Sequence, residues 1–193
     1  KQTRAYAVMS DDNGKTWHRG ADVGVDTTPG RQVWGGGEAQ LVPFGGGDGL
    51  AMLIRARTLA TEAGTANLDN RAGDVGHNHA LTFSQDGGMT WSNSTRMAIE
   101  TVYCEGSLAV ARNGDLLVSS PSTGNGVRAD LTVWAAKRKA PFNFTKLLTL
   151  YSSSSAYSSM LCGDLGDDVG SSCLNLFERD GSTKISLARF SYP

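Results

Sequence analysis

The chain has 193 residues, with 18 Lys and Arg against 19 Asp and Glu, so its formal net charge is −1. This balance argues against a nucleic-acid binder with a broad basic surface, and no apolar run reaches the roughly 18 residues of a transmembrane helix. Apolar residues recur along the whole sequence, which argues against disorder. The 24 glycines are dispersed among short apolar runs. Collagen is therefore excluded, and an all-β chain with many turns is predicted.

Short strands are predicted wherever a brief apolar or alternating run ends at Gly, Asn, Asp or Ser. The hairpin signal Arg112–Asp115 contains an Asn-Gly pair suited to a type I′ turn, and Arg179–Ser182 predicts a further hairpin. The polar segment Thr58–Gly76 is predicted to be a long surface loop. Two interpretations of Ser152–Ser155 stay open, a flexible linker or a loop near a functional site. The predicted strands are Ala5–Ser10, Ala39–Pro43, Leu50–Arg57, His79–Ser84, Ser107–Arg112, Leu116–Ser120, Leu131–Ala135, Leu147–Tyr151, Ser172–Glu178 and Ile185–Phe190.

One internal repeat follows the pattern Ser-x-Asp-x-Gly-x-Thr-Trp, at Ser10–Trp17 and again at Ser84–Trp91. In each copy the Asp side chain suits a turn by accepting backbone N–H groups, Gly supplies a positive φ, and the indole is expected to pack under the turn. A degenerate third copy lies within Leu131–Phe144. The repeat resembles the Asp-box of β-propellers, especially those of sialidases, and we expect a structural role for it.

The resemblance to a propeller allows the blades to be counted. Because a blade takes about 40–50 residues, the chain supplies about four blades of a propeller that is six-bladed when complete. We therefore expect residues 1–193 to be the C-terminal portion of one propeller domain.

Other stretches resemble the C-terminal half of a sialidase (exo-α-neuraminidase) catalytic domain. The resemblance implies a retaining exo-glycosidase that removes terminal α-linked sialic acids from glycoconjugates. The alternatives are a non-catalytic Asp-box propeller that binds glycans or proteins, and a sialidase-derived chain that binds without catalysis. The stretches are Gly37–Val42, Leu50–Arg57, Arg128–Trp134, Ser155–Ser159 and Leu176–Glu178.

The resemblance assigns Arg55 and Arg128 to the substrate's carboxylate. Sialidases use three arginines for this group, and these two match the second and third. A guanidinium suits a planar carboxylate because it donates two parallel hydrogen bonds. Arg57 lies on the same strand face as Arg55 and is the fallback for that position.

The resemblance also implies that Tyr157 is the nucleophile and that Glu38 takes its proton. A neutral hydroxyl avoids the charge repulsion that a carboxylate nucleophile would meet beside the substrate's carboxylate. Glu105 is the competitor of Glu38, and in the family its region lies near the substrate. Glu178 matches the carboxylate that holds the first arginine of the family.

Two parts of the family's site have no match in the sequence, the first arginine and the aspartate acid/base. We therefore expect these parts in a missing N-terminal segment of the same domain. The implied chemistry needs neither a metal nor another cofactor. His77 and His79 share a strand face, and without acidic or thiol neighbours they indicate a polar strand edge rather than a metal site.

The cysteines and glycosylation signals bear weakly on the compartment. In one interpretation, Cys162 and Cys173 form a disulfide and Cys104 stays unpaired. In the other, all three cysteines are buried free thiols. Sequons occur at Asn93 and Asn143. Together with the family resemblance, they favour a secreted, cell-surface or lysosomal protein.

Overall fold

The computed structural model describes residues 4–23, 33–34, 37–58, 75–76, 79–122, 127–163 and 172–193, with backbone alone at 33–34, 57–58 and 75–76. The described residues form strands and turns without a helix, so they include no helix able to cross a bilayer. The strands are β1 (Tyr6–Met9), β2 (His18–Asp22), β3 (Val33–Trp34), β4 (Ala39–Pro43), β5 (Leu50–Arg55), β6 (Arg57–Thr58), β7 (Val75–Gly76), β8 (His79–Ser84), β9 (Thr95–Arg96), β10 (Thr101–Val102), β11 (Ser107–Val110), β12 (Leu116–Pro121), β13 (Ala129–Ala136), β14 (Thr145–Gly163), β15 (Ser172–Arg179) and β16 (Lys184–Ser191).

The strands form successive antiparallel sheets in chain order. The first sheet is β1-β2 and the second is β4-β5-β8-β9. The third is β11-β12-β13 with the first part of β14, and the fourth is the rest of β14 with β15 and β16. The short pairs β3-β6 and β7-β10 lie outside these sheets. Such consecutive up-and-down sheets are the blades of a propeller, so the predicted all-β propeller fold is confirmed.

Strand β14 corrects both interpretations of Ser152–Ser155, the flexible linker and the loop near a functional site. The strand continues through the serines, since Ser154 pairs with Ala129 of β13 and Ser155 pairs with Arg179 of β15. Serine has little strand preference of its own, so pairing on both sides decides the conformation. One strand thus ends the third sheet and begins the fourth.

The first repeat predicts that a strand starts at Thr16 and Trp17, and β2 follows directly at His18–Asp22, but its burial pattern carries little signal of its own. Gly20 is its one buried residue, so no apolar alternation marks the strand. The predicted loop Thr58–Gly76 lies outside the described residues, apart from its two ends.

The hairpin at Arg112–Asp115 is confirmed, but its predicted type I′ turn is wrong. Only Gly114 has a positive φ, of 88°, whereas a type I′ turn needs two such residues. The N–H of Gly114 donates to Ala111 O, and the N–H of Ala111 donates to Asp115 O, which closes a longer loop. Asn113 Oδ1 accepts the N–H of Asp115 at 2.9 Å within this loop.

The two repeat turns share one hydrogen-bond pattern. In the first, Ser10 Oγ accepts the N–H of Gly14 at 2.7 Å, and Asp12 Oδ1 accepts the N–H of Thr16 at 2.8 Å. In the second, the corresponding distances are 2.8 Å and 2.9 Å. Hydrogen bonds from the threonine hydroxyl and backbone lower the pKa of Asp12 and of Asp86 to about 2.

The two tryptophans of the repeat differ in their packing. Trp17 donates from Nε1 to Gly14 O at 3.0 Å, yet its side chain stays 63% exposed. Trp91 packs against Val23, Met52 and Ile54, between the first and second sheets. Trp17 therefore lies against its own turn as expected, although it stays exposed. The packing found for Trp91 is with the core cluster, so its packing under the turn stays a prediction.

The hydrophobic core lies between neighbouring sheets. Leu53 and Leu81 of the second sheet meet Leu108 and Val118 of the third, in a cluster that Trp134 also joins. Between the third and fourth sheets, a further cluster surrounds Cys173, which forms a disulfide with Cys162 across β14 and β15. Cys104 is a buried free thiol. Of the two interpretations of the cysteines, the one with a single disulfide is therefore correct.

Candidate active site

The pairing of β4 with β5 places Glu38 beside Arg55. The N–H of Arg55 donates to Glu38 O at 2.9 Å, and the N–H of Gly37 donates to Arg55 O at 3.1 Å. A Cβ at position 37 would lie 3.2 Å from Arg55 O, so glycine permits this close approach. Both side chains thus emerge at one end of the second sheet.

Tyr157, on the second part of β14, reaches the same point from the fourth sheet. Its hydroxyl donates to Glu38 Oε1 at 2.6 Å. Arg55 Nη1 donates to Glu38 Oε2 at 2.6 Å and to the Tyr157 hydroxyl at 3.3 Å. The Arg55 side chain is 9% exposed, whereas that of Glu38 is 41% exposed. The three groups form one connected cluster whose carboxylate is open to solvent.

The cluster separates the pKa values of its acid and its phenol. Burial tends to raise the pKa of Glu38, but hydrogen bonds from Tyr157 and Arg55, with the Arg55 charge, outweigh it and the pKa is lowered. The pKa of Tyr157 is raised, first by its hydrogen bond to Glu38 and then by burial. At neutral pH the proton therefore stays on Tyr157, and Glu38 is the ionised acceptor of its hydrogen bond.

Arg55 and Arg128 converge on one backbone atom. Arg55 Nη2 and Arg128 Nη2 each donate to Tyr103 O at 3.2 Å. The guanidinium of Arg128 also lies 5.7 Å from the centroid of the Tyr157 ring. This shared acceptor brings the two guanidiniums together, and guanidiniums are common hydrogen-bond partners of carboxylates.

Tyr103 is a site residue that the sequence reasoning missed. Its ring lies under the Arg55 guanidinium, 3.8 Å from ring centroid to Cζ, and its carbonyl binds both arginines. A lone tyrosine before a cysteine carries no recognisable pattern. The one sequence feature that could have pointed to Tyr103 is its position two residues before Glu105, a candidate site residue.

Glu105 forms hydrogen bonds to residues of the second and fourth sheets, and Gln40 extends this network to the third. Among the described residues, Glu105 forms no ion pair with an arginine. Its Oε2 accepts the N–H of Ser158 at 3.1 Å, and its Oε1 accepts Gln40 Nε2 at 3.4 Å. Gln40 Oε1 in turn accepts the Ser107 hydroxyl and the N–H of Leu108 on β11. Burial raises the pKa of Glu105, and the charge of Glu38 raises it further. This network holds Ser158, the residue after Tyr157, in place relative to β4, and Glu38 directly precedes β4.

Glu178 lies behind the backbone of Tyr157. Its Oε2 accepts the Ser182 hydroxyl at 2.9 Å and the N–H of Tyr157 at 3.4 Å. In the described part of the chain, no arginine contacts its carboxylate, so binding of a further arginine there stays a prediction. The side chain of Arg57, the fallback for Arg55, lies outside the described residues.

His79 is not at the polar strand edge that was predicted. The side chain is fully buried, and its Nδ1 lies 3.2 Å from the Thr101 hydroxyl. Burial, with the nearby Arg55 charge, lowers the pKa of His79 to about 4, so the ring is neutral. His77 lies outside the described residues. Within the described ranges, no group of three or more His, Cys, Asp or Glu side chains is arranged to hold a metal ion.

Known proteins resemble this chain in fold. No family model and no curated protein matches it. Among solved structures, the intramolecular trans-sialidase of Ruminococcus gnavus, in complex with oseltamivir carboxylate, has a TM-score of 0.61 at 21% identity and covers 95% of this chain. The leech intramolecular trans-sialidase, in complex with 2,7-anhydro-Neu5Ac, has a TM-score of 0.60 at 18% identity and also covers 95%. The K499G mutant of NanB sialidase from Streptococcus pneumoniae has a TM-score of 0.61 at 17% identity and covers 96%.

The chain has a sialidase-like fold. It spans 37%, 27% and 26%, respectively, of the lengths of these three structures. At these identities the likeness concerns the fold, and the chemistry of this chain has to be argued from its own side chains.

Proposed function

We propose that this chain supplies part of the active site of a retaining exo-α-sialidase, with Tyr157 as nucleophile and Glu38 as its base. The observation that carries the proposal is the 2.6 Å hydrogen bond between Tyr157 Oη and Glu38 Oε1, from residues 119 apart in sequence. A nucleophile within hydrogen-bond reach of an ionised base, itself oriented by a third group, is the usual arrangement for covalent catalysis. Arg55 is that third group here.

The two arginines define the substrate class in this proposal. A sialic acid carries a carboxylate on its anomeric carbon, and Arg55 and Arg128 both point at the position of Tyr103 O. With the carboxylate bound beside Tyr103 O by the remaining N–H groups of these two arginines, the anomeric carbon would lie next to the Tyr157 hydroxyl, which already contacts Arg55.

In the proposed reaction, the Tyr157 oxygen attacks the anomeric carbon while its proton passes to Glu38. The bond from that carbon to the aglycone oxygen breaks, and the aglycone leaves with the bonding electron pair. A water molecule or an acceptor hydroxyl then attacks the anomeric carbon from the side that the aglycone left, and its proton passes to the group that had protonated the aglycone. The bond from the anomeric carbon to Tyr157 Oη breaks, and Glu38 returns the proton to Tyr157. No described side chain is assigned the role of protonating the leaving group.

Turnover of a fluorogenic sialoside by the longer protein, which includes the expected N-terminal segment, tests the proposal. We expect Tyr157→Phe to lower turnover by more than about a hundredfold, since the covalent path is lost. The matched control is Tyr151→Phe, which removes a hydroxyl from the same strand that donates to Asp180 Oδ1 at 2.6 Å. This control should keep the wild-type rate.

Two results would contradict the proposal. A Tyr157→Phe variant with the wild-type rate would reject Tyr157 as the nucleophile. Binding of a sialic acid that Arg128→Ala abolishes, without turnover by the longer wild-type protein, would instead favour the glycan-binding alternative.

A further inference from the structure

A groove between the second and third sheets lies at the strand ends opposite the candidate active site. Two adjoining cavities, of about 510 Å³ and 400 Å³, share the wall formed by Phe44 and the glycines that follow it. Strand β4 begins beside Glu38 and ends at the groove, so roughly 15 Å of strand separates the two places. We call it the basal groove; its lining includes Phe44, Gly45, Gly46, Arg138, Lys139 and Phe142.

Two cations line the larger cavity without an acidic partner. Among the described residues, neither Arg138 nor Lys139 forms an ion pair, whereas the preceding Lys137 donates to Asp115 Oδ2 at 3.0 Å. Asp115 Oδ1 also accepts the backbone N–H of Arg138 at 3.0 Å. The turn is therefore held through Lys137 and the backbone, which leaves the side chains of Arg138 and Lys139 available for an anion.

The opposite wall presents unused backbone donors. Gly45, Gly46 and Gly47 have φ values of 87°, 83° and 55°, and a Cβ at any of them would meet open space. The loop is closed by bonds from Phe44 N to Gly49 O and from Gly49 N to Gly46 O. In the described part of the chain, no acceptor is found for the N–H groups of Gly45, Gly46 and Gly47. Consecutive backbone donors of this kind suit an oxygen-rich ligand.

An aromatic cluster forms the apolar side of the basal groove. The ring centroids of Phe83 and Phe142 lie 4.9 Å apart, and that of Phe44 lies 5.6 Å and 5.8 Å from them. Phe44 and Phe142 are only partly buried, so the cluster still faces the smaller cavity. Ring faces beside a groove offer a surface to the C–H face of a ligand ring.

We propose that the basal groove is a second binding site, which takes an acidic sugar. Such a ligand offers an anionic group to Arg138 and Lys139, hydroxyl oxygens to the glycine N–H groups, and an apolar ring face to Phe44 and Phe142. A simple anion would leave the aromatic wall unused, and a neutral sugar would leave the two cations unused. The proposal does not depend on catalysis at Tyr157, because the groove lies at the other end of the strands.

Amide chemical-shift mapping by NMR tests the proposal on the full chain. The probes are methyl β-glucuronide, glucose 6-sulfate, the neutral methyl β-glucoside and inorganic sulfate. We expect both acidic sugars to shift the amides of Gly45, Gly46 and Gly47 with saturation, and to bind at least about tenfold more tightly than the glucoside or sulfate. Shifts confined to Arg55 and Arg128, or equal affinity for acidic sugar and sulfate, would overturn the proposal.

Variants separate the groove from the rest of the surface. Arg138→Gln with Lys139→Gln should weaken both acidic sugars by at least about tenfold, because the anionic group loses its partners. Lys15→Gln, an exposed cation of the first repeat turn, is the matched control and should change nothing. The single variant Lys139→Gln should fold normally, because this side chain is exposed. It should show part of the loss of affinity for acidic sugars, which separates lost binding from misfolding. Unchanged affinity in both the double and the single variant would overturn the proposal.

Discussion

A single shared proton governs the chemistry available to Tyr157 and Glu38. The directions of their pKa shifts keep this proton on the phenol over the range between the ordinary values of about 4.3 for Glu and about 10 for Tyr. Glu38 has a lowered pKa in the folded state, so its contribution to stability is present above the unfolded value and is lost as pH falls through the folded value. We therefore expect the acid limb of any Tyr157-dependent activity to lie below the ordinary Glu pKa.

The Glu38→Gln variant tests this assignment at the residue scale. Without an ionised acceptor, the pKa of Tyr157 should fall, because its hydrogen bond to the charged Glu38 is the main cause that raises it. The near-ultraviolet absorbance of the phenolate, measured against a Tyr157→Phe background, reports this pKa.

Glu178→Gln is the matched control for that titration. It alters a carboxylate that accepts the backbone N–H of Tyr157 and the Ser182 hydroxyl but not the phenol, so it should leave the phenol pKa unchanged. An equal effect of the two variants would show that general charge, rather than the direct hydrogen bond, raises the pKa of Tyr157.

At the scale of elements, the stability of the fold depends on how closely β2 packs against the second repeat turn. Strand β2 approaches the second repeat turn, where the N–H of Ala21 donates to Met89 O at 2.9 Å. A Cβ at Gly20 would lie only 2.1 Å from Gly88 O. Because that atom belongs to a backbone already fixed by the Ser84 and Asp86 side chains, it cannot move aside cheaply.

We therefore expect Gly20→Ala to destabilise the fold by about 2–3 kcal/mol, on the scale of other overpacked substitutions. Urea unfolding measures the change. Gly163→Ala is the control, since no atom lies within 4 Å of a Cβ there, and it should stay within about 0.5 kcal/mol of wild type. Equal stabilities of the two variants would contradict the close contact between β2 and the second repeat turn.

At the scale of the whole molecule, the disulfide ties the fourth sheet together. Cys162 and Cys173 face each other in the register of β14 and β15. Disulfides persist in oxidising compartments, so this bond is compatible with an extracellular protein. The finer assignment to a secreted, cell-surface or lysosomal location stays a prediction.

Reduction of this disulfide should lower the melting temperature. The bond closes a short loop, with a sequence separation of 11, and contributes about 2–3 kcal/mol on the chain-entropy scale. For a chain of this size, that corresponds to roughly 4–12 °C. Thermal unfolding with and without reductant measures the shift, and a Cys162→Ala and Cys173→Ala double variant should be insensitive to reductant. A wild-type melting temperature unaffected by reductant would contradict the stabilising role.

The sequence by itself determined the local features of this protein. Short apolar runs located strands such as β5 and β8, and the Ser-x-Asp-x-Gly-x-Thr-Trp pattern located turns whose hydrogen bonds stay within a few residues. The family resemblance singled out Tyr157 and Glu38 from their local motifs.

Only the tertiary structure decided the long-range features, because they depend on which strands become neighbours. The 2.6 Å contact between Tyr157 and Glu38, the meeting of Arg55 and Arg128 at Tyr103 O, and the course of β14 through its serines all join residues far apart in sequence. No local pattern encodes such distances, since they arise from the packing of one sheet against the next.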